Sequence, residues 1–329
     1  MTRKYLIRKF FFYVISIWVA LTINFAIPRL MPGDPASVVL ARARGQMNPQ
    51  ALDALMKAFG FTGKNLFLQY IEYLSNVFRG NFGISITYFP TPVSELISQA
   101  LPWTLFLFGF ATIMSFVLGT VIGIFLAWRR NSISDATVTP FSIFLHSFPA
   151  FWIALLILYI IGFKMDLIPI AHGYNPRIDT GFNRAFIGSA VLHAVGPLLS
   201  IVLVSIGGWI LLIRNNMISI LEEDFITMAQ AEGLKERMIM FGYAARNAIL
   251  PSVTAFTMSM GFVFTGSLLT EIVFSYPGVG FLLYQGVLAL DYPVLQSAFF
   301  ILAVVMMTAN FLVDIIYVKL DPRTSEVER

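Results

Sequence analysis

Residues 101–128 read LPWTLFLFGFATIMSFVLGTVIGIFLAW, an apolar run without a single Asp, Glu, Lys or Arg. A helix rises ~1.5 Å per residue, so about 20 such residues cross the ~30 Å hydrocarbon layer of a bilayer. The run is long enough to do so, and it is one of six. The others are roughly Phe10–Ile27, Thr137–Phe163, Ala190–Ile213, Ile249–Thr270 and Val294–Val318. Hydrophobic residues make up 57% of the 329 and charged residues only 12%, against about 25% charged in soluble domains. The missing charge is accounted for by lipid-facing surface. Cysteine is absent, which removes disulfide frameworks and thiolate metal sites. A net charge of +4 on so apolar a chain gives no support to nucleic-acid binding.

The reading that follows is an all-α integral membrane protein with six spans. Arg3, Lys4, Arg8 and Lys9 precede the first run. That run is long for a signal peptide, lacks a clear small-x-small cleavage site and is followed by further spans, so it is read as a retained helix with its N-terminus inside. Residues 1–30 form this segment and span. Residues 31–98 are polar enough to form a small helical extracytoplasmic insert, with a helix starting at Asn48-Pro49 and a second over about Leu66–Phe78. Residues 99–318 form the five-helix core, with the loop 214–248 inside, and 319–329 form an inner tail. On this topology the inner segments collect 13 of the 22 Lys and Arg, and Glu271–Leu295 outside holds none, as the positive-inside rule requires.

Few ionisable groups lie in the spans: His146, His193 and Asp314. Ion-driven carriers keep costly intramembrane charges for their mechanism, so this scarcity argues against one. His146 lies mid-span; a packing histidine donating to a backbone carbonyl near Pro149 is preferred to a proton or ligand site. His146, His172 and His193 lie in different segments without ligand spacing, which argues against a polytopic metal enzyme; an outer-face site at His172 and His193 stays open. No phosphate loop is present: Gly60-Phe61-Thr62-Gly63-Lys64 has the letters at the wrong spacing. If ATP drives this chain, another chain hydrolyses it.

The loop 214–248 then acquires a purpose. Asp224 can cap a short helix running to about Glu232, with Glu222 and Glu223 favourable at its positive end. Gly233 can take the left-handed conformation that ends it. Ala229 and Ala231 leave room for another surface to approach. Lys235, Glu236 and Arg237 follow, and a second helix climbs to Pro251.

Ala229-x-Ala231-x-Gly233 followed by Arg246-Asn247-Ala248-x-x-Pro251 resembles the coupling motif of permease subunits of ABC importers, in particular the oligopeptide/dipeptide/nickel branch. The resemblance extends along the chain. It includes Met31-Pro32-Gly33-Asp34-Pro35-Ala36, Asn81-Phe82-Gly83-Ile84-Ser85, Pro92-Val93, Leu101-Pro102-Trp103-Thr104-Leu105 and Ser147-Phe148-Pro149-Ala150-Phe151-Trp152. It continues through Glu271-Ile272-Val273-Phe274-Ser275-Tyr276-Pro277-Gly278-Val279-Gly280 and Asp291-Tyr292-Pro293. Leu290 and Phe281 stand where that branch often has basic residues.

The resemblance implies the type I ABC importer permease fold in a cytoplasmic membrane, both termini inside. It implies a second homologous permease, two cytoplasmic ATPases that bind ATP and Mg, and an extracytoplasmic substrate-binding protein; no cofactor is expected in this chain and no bond chemistry. Asp224, Met228, Ala229, Ala231, Glu232, Gly233, Leu234, Lys235, Glu236 and Arg237 would contact the ATPases. Pro277, Gly278, Asp291 and Tyr292 would shape an exposed outer mouth or dock the binding protein. Oligopeptides or dipeptides come first as substrate, with oligosaccharides or nickel as alternatives. A passive channel or secondary carrier, in which the loop has no partner, is the competing class.

Overall fold

The computed structural model describes residues 3–30, 65–261 and 268–320. The stretch 31–36, the helix expected at Asn48-Pro49 and the end of the tail lie outside the described residues, as does part of the fifth expected span. Among the described residues the chain is helical, with one isolated bridge between Ile84 and Pro92. Four helices are long and apolar enough to cross a membrane, or five if one bent pair is a single span. They make this a multi-pass membrane protein.

Two compact units divide the chain. The first comprises residues 1–104 and 277–312. It holds α1 (Arg3–Leu30), α2 (Leu66–Phe78), the start of α3 (Val93–Trp128), α11 (Val279–Ala289) and most of α12 (Tyr292–Leu320). α1 bares Phe11, Phe12, Ile15 and Trp18, the apolar exterior that lipid, not water, accepts. It meets α12 through Tyr13 and Phe311, with ring centroids 5.7 Å apart, and through Gln296 Nε2, which donates to the Asn24 carbonyl at 3.1 Å. α2 begins where Asn65 accepts from the Phe67 amide at 3.2 Å, an N-cap. It packs Tyr70 and Tyr73 against Phe25.

The second unit comprises residues 105–276 and 313–329. After the rest of α3 come α4 (Ile133–His146), α5 (Ala150–Ile157, continued by a π-helix over Leu158–Lys164), α6 (Arg184–Leu221) and α7 (Asp224–Ala231). α8 (Glu236–Met238) runs through a second π-helix, Ile239–Ala245, into α9 (Arg246–Gly261), and α10 (Leu268–Val273) follows the gap. α6 is 38 residues long, about 57 Å at ~1.5 Å per residue, so it extends beyond the hydrocarbon layer and carries α7 at its end.

Helices close on α6 at glycines. A Cβ on Gly123 would lie 2.8 Å from the Ile210 carbonyl oxygen of α6, and one on Gly207 would lie 2.4 Å from the Ser142 carbonyl oxygen of α4. Small residues let backbones approach where lipid supplies no hydrophobic drive between helices. Phe116 then stacks on Phe256 at 4.4 Å and meets Trp209 edge-on at 5.1 Å, joining α3, α6 and α9.

The run expected to form one third span, Thr137–Phe163, is two helices bent by 100°. α4 closes at Ser147 and Phe148, whose amides reach back to Ile143 and Leu145. Pro149 then restarts the chain in extended conformation as the residue before α5. The residue before a proline is pushed away from helical angles, so Phe148-Pro149 breaks the run. His146 stands just before the break with Nδ1 3.0 Å from the Val204 carbonyl oxygen, the packing role expected of it.

Candidate functional site

α7 follows Leu221 after only Glu222 and Glu223. Glu223 is the extended residue before the helix and Asp224 its first, so the cap falls one residue earlier than expected and makes no side-chain hydrogen bond. Three carboxylates at this end still suit the positive pole of the helix. At the other end Gly233 has φ +75°. The Leu234 amide donates to the Ala229 carbonyl at 3.3 Å and the Gly233 amide to that of Gln230 at 3.0 Å. This pair of bonds is the Schellman closure, which glycine makes at low cost.

The eight-residue helix is fixed by one face. Ile226 and Ala229 are buried in a cluster with Ile124 and Ala127 of α3, Ile213 and Met217 of α6, and Ile239, Met240, Ala244, Ala245 and Ala248 beyond the turn; Leu234 packs on its edge. Ala229 is therefore small because the helix lies close on its own chain, and it is not available to another surface as expected. Ala231, on the other side, is exposed with Asp224, Glu232, Gly233, Lys235, Glu236 and Arg237, and Met228 is 64% exposed. Beside them opens a cavity of about 770 Å³ lined by Phe225, Met238, Tyr243, Arg246, Asn247 and Leu250. The helix is two-sided: its inner face packs on α3, α6 and the segment leading into α9, and its outer face mixes charged side chains with the exposed Phe225, Met228 and Met238.

One buried ion pair lies near its root, and a second, solvent-exposed pair lies beside it. Arg214 of α6 forks onto Asp135 at the start of α4, Nε to Oδ1 at 2.6 Å and Nη2 to Oδ2 at 2.8 Å. Arg130 meets Glu222 at 2.9 Å on the surface. Asn216 Nδ2 donates to Ser252 Oγ of α9 at 3.2 Å.

Comparison with known proteins decides the family. The profile described as "Binding-protein-dependent transport system inner membrane component" matches residues 119–326, and that of the corresponding N-terminal region matches residues 1–107. The chain belongs to this family of transport-system membrane components. Among its relatives are the oligopeptide transport system permease protein AppB of Bacillus subtilis, 30% identical and covering 97% of this chain and 98% of its own. The dipeptide transport system permease protein DppB of Lactococcus lactis is 31% identical over the same shares, 97% and 98%. The di/tripeptide transport system permease protein DppB of Pseudomonas aeruginosa is 30% identical, covering 92% of each chain.

Residues 277–292, expected to form an exposed outer mouth, lie in the first unit, and their geometry corrects that expectation. Asp291 and Tyr292 are fully or almost fully buried, Gly278 is buried, and only Pro277 is partly open. Asp291 accepts from the Ser85 hydroxyl at 2.5 Å, the Thr87 amide at 2.8 Å and the Val294 amide at 3.3 Å. It caps α12 and ties down the 81–92 loop, so it is a structural carboxylate and not an exposed docking residue. Burial, then the Asp291 charge, push the neighbouring Tyr88 phenol above its ordinary pKa. Tyr88 donates to Gln285 Oε1 at 2.5 Å, which binds the same loop to α11.

His172 and His193 are expected on one side of the membrane, in different segments. In the second unit they line one cavity of about 530 Å³ with Asp166 and Asn175. His193 Nδ1 lies 2.7 Å from the Ser189 carbonyl. Among the described residues no group of three His, Cys, Asp or Glu side chains is placed to hold a metal ion.

Proposed function

We propose that this chain is a permease subunit of an ATP-driven importer that takes peptides from a binding protein. Relatives named for oligopeptides, dipeptides and di/tripeptides support that substrate class. The chain contributes six spans with both ends in the cytoplasm, pairs with a second permease of similar fold, and rests on two cytoplasmic ATPases that hold ATP and Mg. It performs no bond chemistry. Its part is to convert closure of the ATPases into an inward-to-outward swing of the spans.

The observation that carries this reading is the two-sided nature of α7. Its inner face is packed into α3, α6 and the helix leading to α9, so force on the outer face is delivered to those helices and not absorbed locally. Asp224, Met228, Ala231, Glu232, Gly233, Lys235, Glu236 and Arg237 form the contact; Ala229 and Leu234 anchor it from within. Pro277, Gly278, Asp291 and Tyr292 shape the outer side by holding α11, α12 and the 81–92 loop in register.

The test is co-expression of this chain with its neighbouring genes, purification in mild detergent, and an ATPase and uptake assay in vesicles. The expected result is a complex with a second permease and ATPases, hydrolysis stimulated by a binding protein, and uptake of labelled di- to oligopeptides. A chain that purifies alone and passes solute without ATP is a carrier and overturns the proposal. Uptake of oligosaccharide or nickel in place of peptide overturns the substrate class alone.

A further inference from the structure

We infer that Asp135 and Arg214 are positioning residues for coupling: their buried ion pair makes α4 move with α6 when α7 is displaced. This rests on the reading of α7 as the ATPase contact. Both carboxylate oxygens of Asp135 are fully occupied. Oδ1 accepts from Arg214 Nε and from Thr139 Oγ1 at 2.8 Å, and Oδ2 accepts from Arg214 Nη2 and from the Asn131 amide at 3.1 Å. The side chains are 6% and 17% exposed. A forked guanidinium–carboxylate pair fixes direction as well as distance.

Placement gives the pair its role. Arg214 lies two turns before the end of α6, and α7 begins three residues after that end. Asp135 lies in the first turn of α4, just after the left-handed Asn131 that turns the chain out of α3. Two further turns along, Gly207 and Gly208 hold α4 against α6 at Ser142 and His146. α4 and α6 are thus pinned at two levels, one by close backbone contact and one by charge, so they cannot slide or rotate independently. α4 then runs directly into the 100° break at Ser147-Phe148-Pro149. Motion of α7 is delivered through α6 and Arg214–Asp135 to α4 and to that break.

The exposed pair Arg130–Glu222, with side chains 51% and 67% exposed, contributes little, as solvent-screened pairs do. It is the internal control. A buried pair is itself weak evidence of stabilisation: removing one partner is damaging, while replacing both is often neutral for folding. This separates a structural role from a transmitting one.

The complete importer is assembled in vesicles with Asp135→Asn, Arg214→Met, the double variant, Arg214→Lys or Arg130→Ala in this chain. Assembled complex, binding-protein-stimulated ATP hydrolysis and substrate uptake are measured on each. The inference expects the single neutral variants to lose assembled complex and the double variant to regain it. In the double variant, and in Arg214→Lys, which keeps the charge but not the fork, uptake per ATP hydrolysed falls by roughly tenfold, an ordinary size for coupling between sites. Arg130→Ala keeps the wild-type ratio. An unchanged ratio in the assembled double variant, or in Arg214→Lys should the double variant not assemble, overturns the inference and leaves the importer reading intact. A wild-type assembly that shows no stimulated hydrolysis overturns the importer reading, and the inference with it.

Discussion

Replacing Gly207 with alanine would place a methyl group 2.4 Å from the Ser142 carbonyl oxygen and 3.1 Å from His146 Cβ. The first contact is with backbone, which cannot rotate away. The gap between 2.4 Å and the 3.4 Å at which ordinary contact begins is about 1 Å, so α4 and α6 must part by about that much. Overpacking of this kind costs roughly 1–3 kcal/mol. The same movement stretches the 3.0 Å contact between His146 Nδ1 and the Val204 carbonyl past hydrogen-bond range, a further loss of about 1 kcal/mol. Alanine returns roughly 0.5–1 kcal/mol through its helical preference. The balance is a loss of about 2 kcal/mol. The assay is thermal loss of the monodisperse peak of detergent-purified protein, with Gly188→Ala as control, because a Cβ there meets nothing within 4 Å and lies in the same helix. Gly207→Ala should melt several degrees below wild type and Gly188→Ala at or above it. A Gly207→Ala protein as stable as wild type would refute the claim that α4 and α6 meet at backbone distance.

Three further outcomes follow from the same geometry. Gly233→Pro removes the amide that bonds Gln230 and demands a negative φ where the chain has +75°; the protein should still insert, while transport in the assembled importer is lost, and intact uptake by that variant would count against the coupling role of the turn. Ile226→Ala empties a buried site in the cluster beneath α7 at a cost of about 2–4 kcal/mol; trypsin should then cut faster at Lys235 and Arg237, and an unchanged cutting rate would show that α7 is not held by this face. Asp291→Ala leaves Ser85, Thr87 and Val294 donors without their acceptor, a loss of about 2–3 kcal/mol, which should appear as a lower melting temperature, with Asp291→Asn recovering part of it.

The four long apolar helices were legible because lipid imposes a simple demand: runs such as 101–128 have no other stable setting. The C-terminal end of α7 was legible because Gly233 acts on its nearest neighbours, whereas at the other end three successive carboxylates offer several caps and the helix starts one residue early. The burial of Asp291 was not legible, since its partner Ser85 is 206 residues away and a polar residue beside Tyr-Pro looks like any surface turn. Arg214–Asp135 is hidden for the same reason, across 79 residues. At Ala229 the sequence shows a small side chain but not the side it faces, which is the chain's own core. At Pro149 the sequence contains the breaker, but proline is tolerated inside α3 at Pro102 and inside α6 at Pro197. A proline alone therefore does not separate a kink from the 100° break seen at Phe148-Pro149.

The central claim is that the outer face of α7 bears on an ATPase. The absence of cysteine allows a direct measurement: single Met228→Cys and Ala229→Cys variants, co-expressed with the partner subunits and treated with a short thiol-to-amine cross-linker, with and without ATP. The account predicts that Met228→Cys joins the ATPase efficiently and with a yield that changes on ATP binding, while Ala229→Cys, facing the chain's own core, does not react. An unreactive Met228→Cys in a transport-competent complex, or equal cross-linking from both positions, would contradict it.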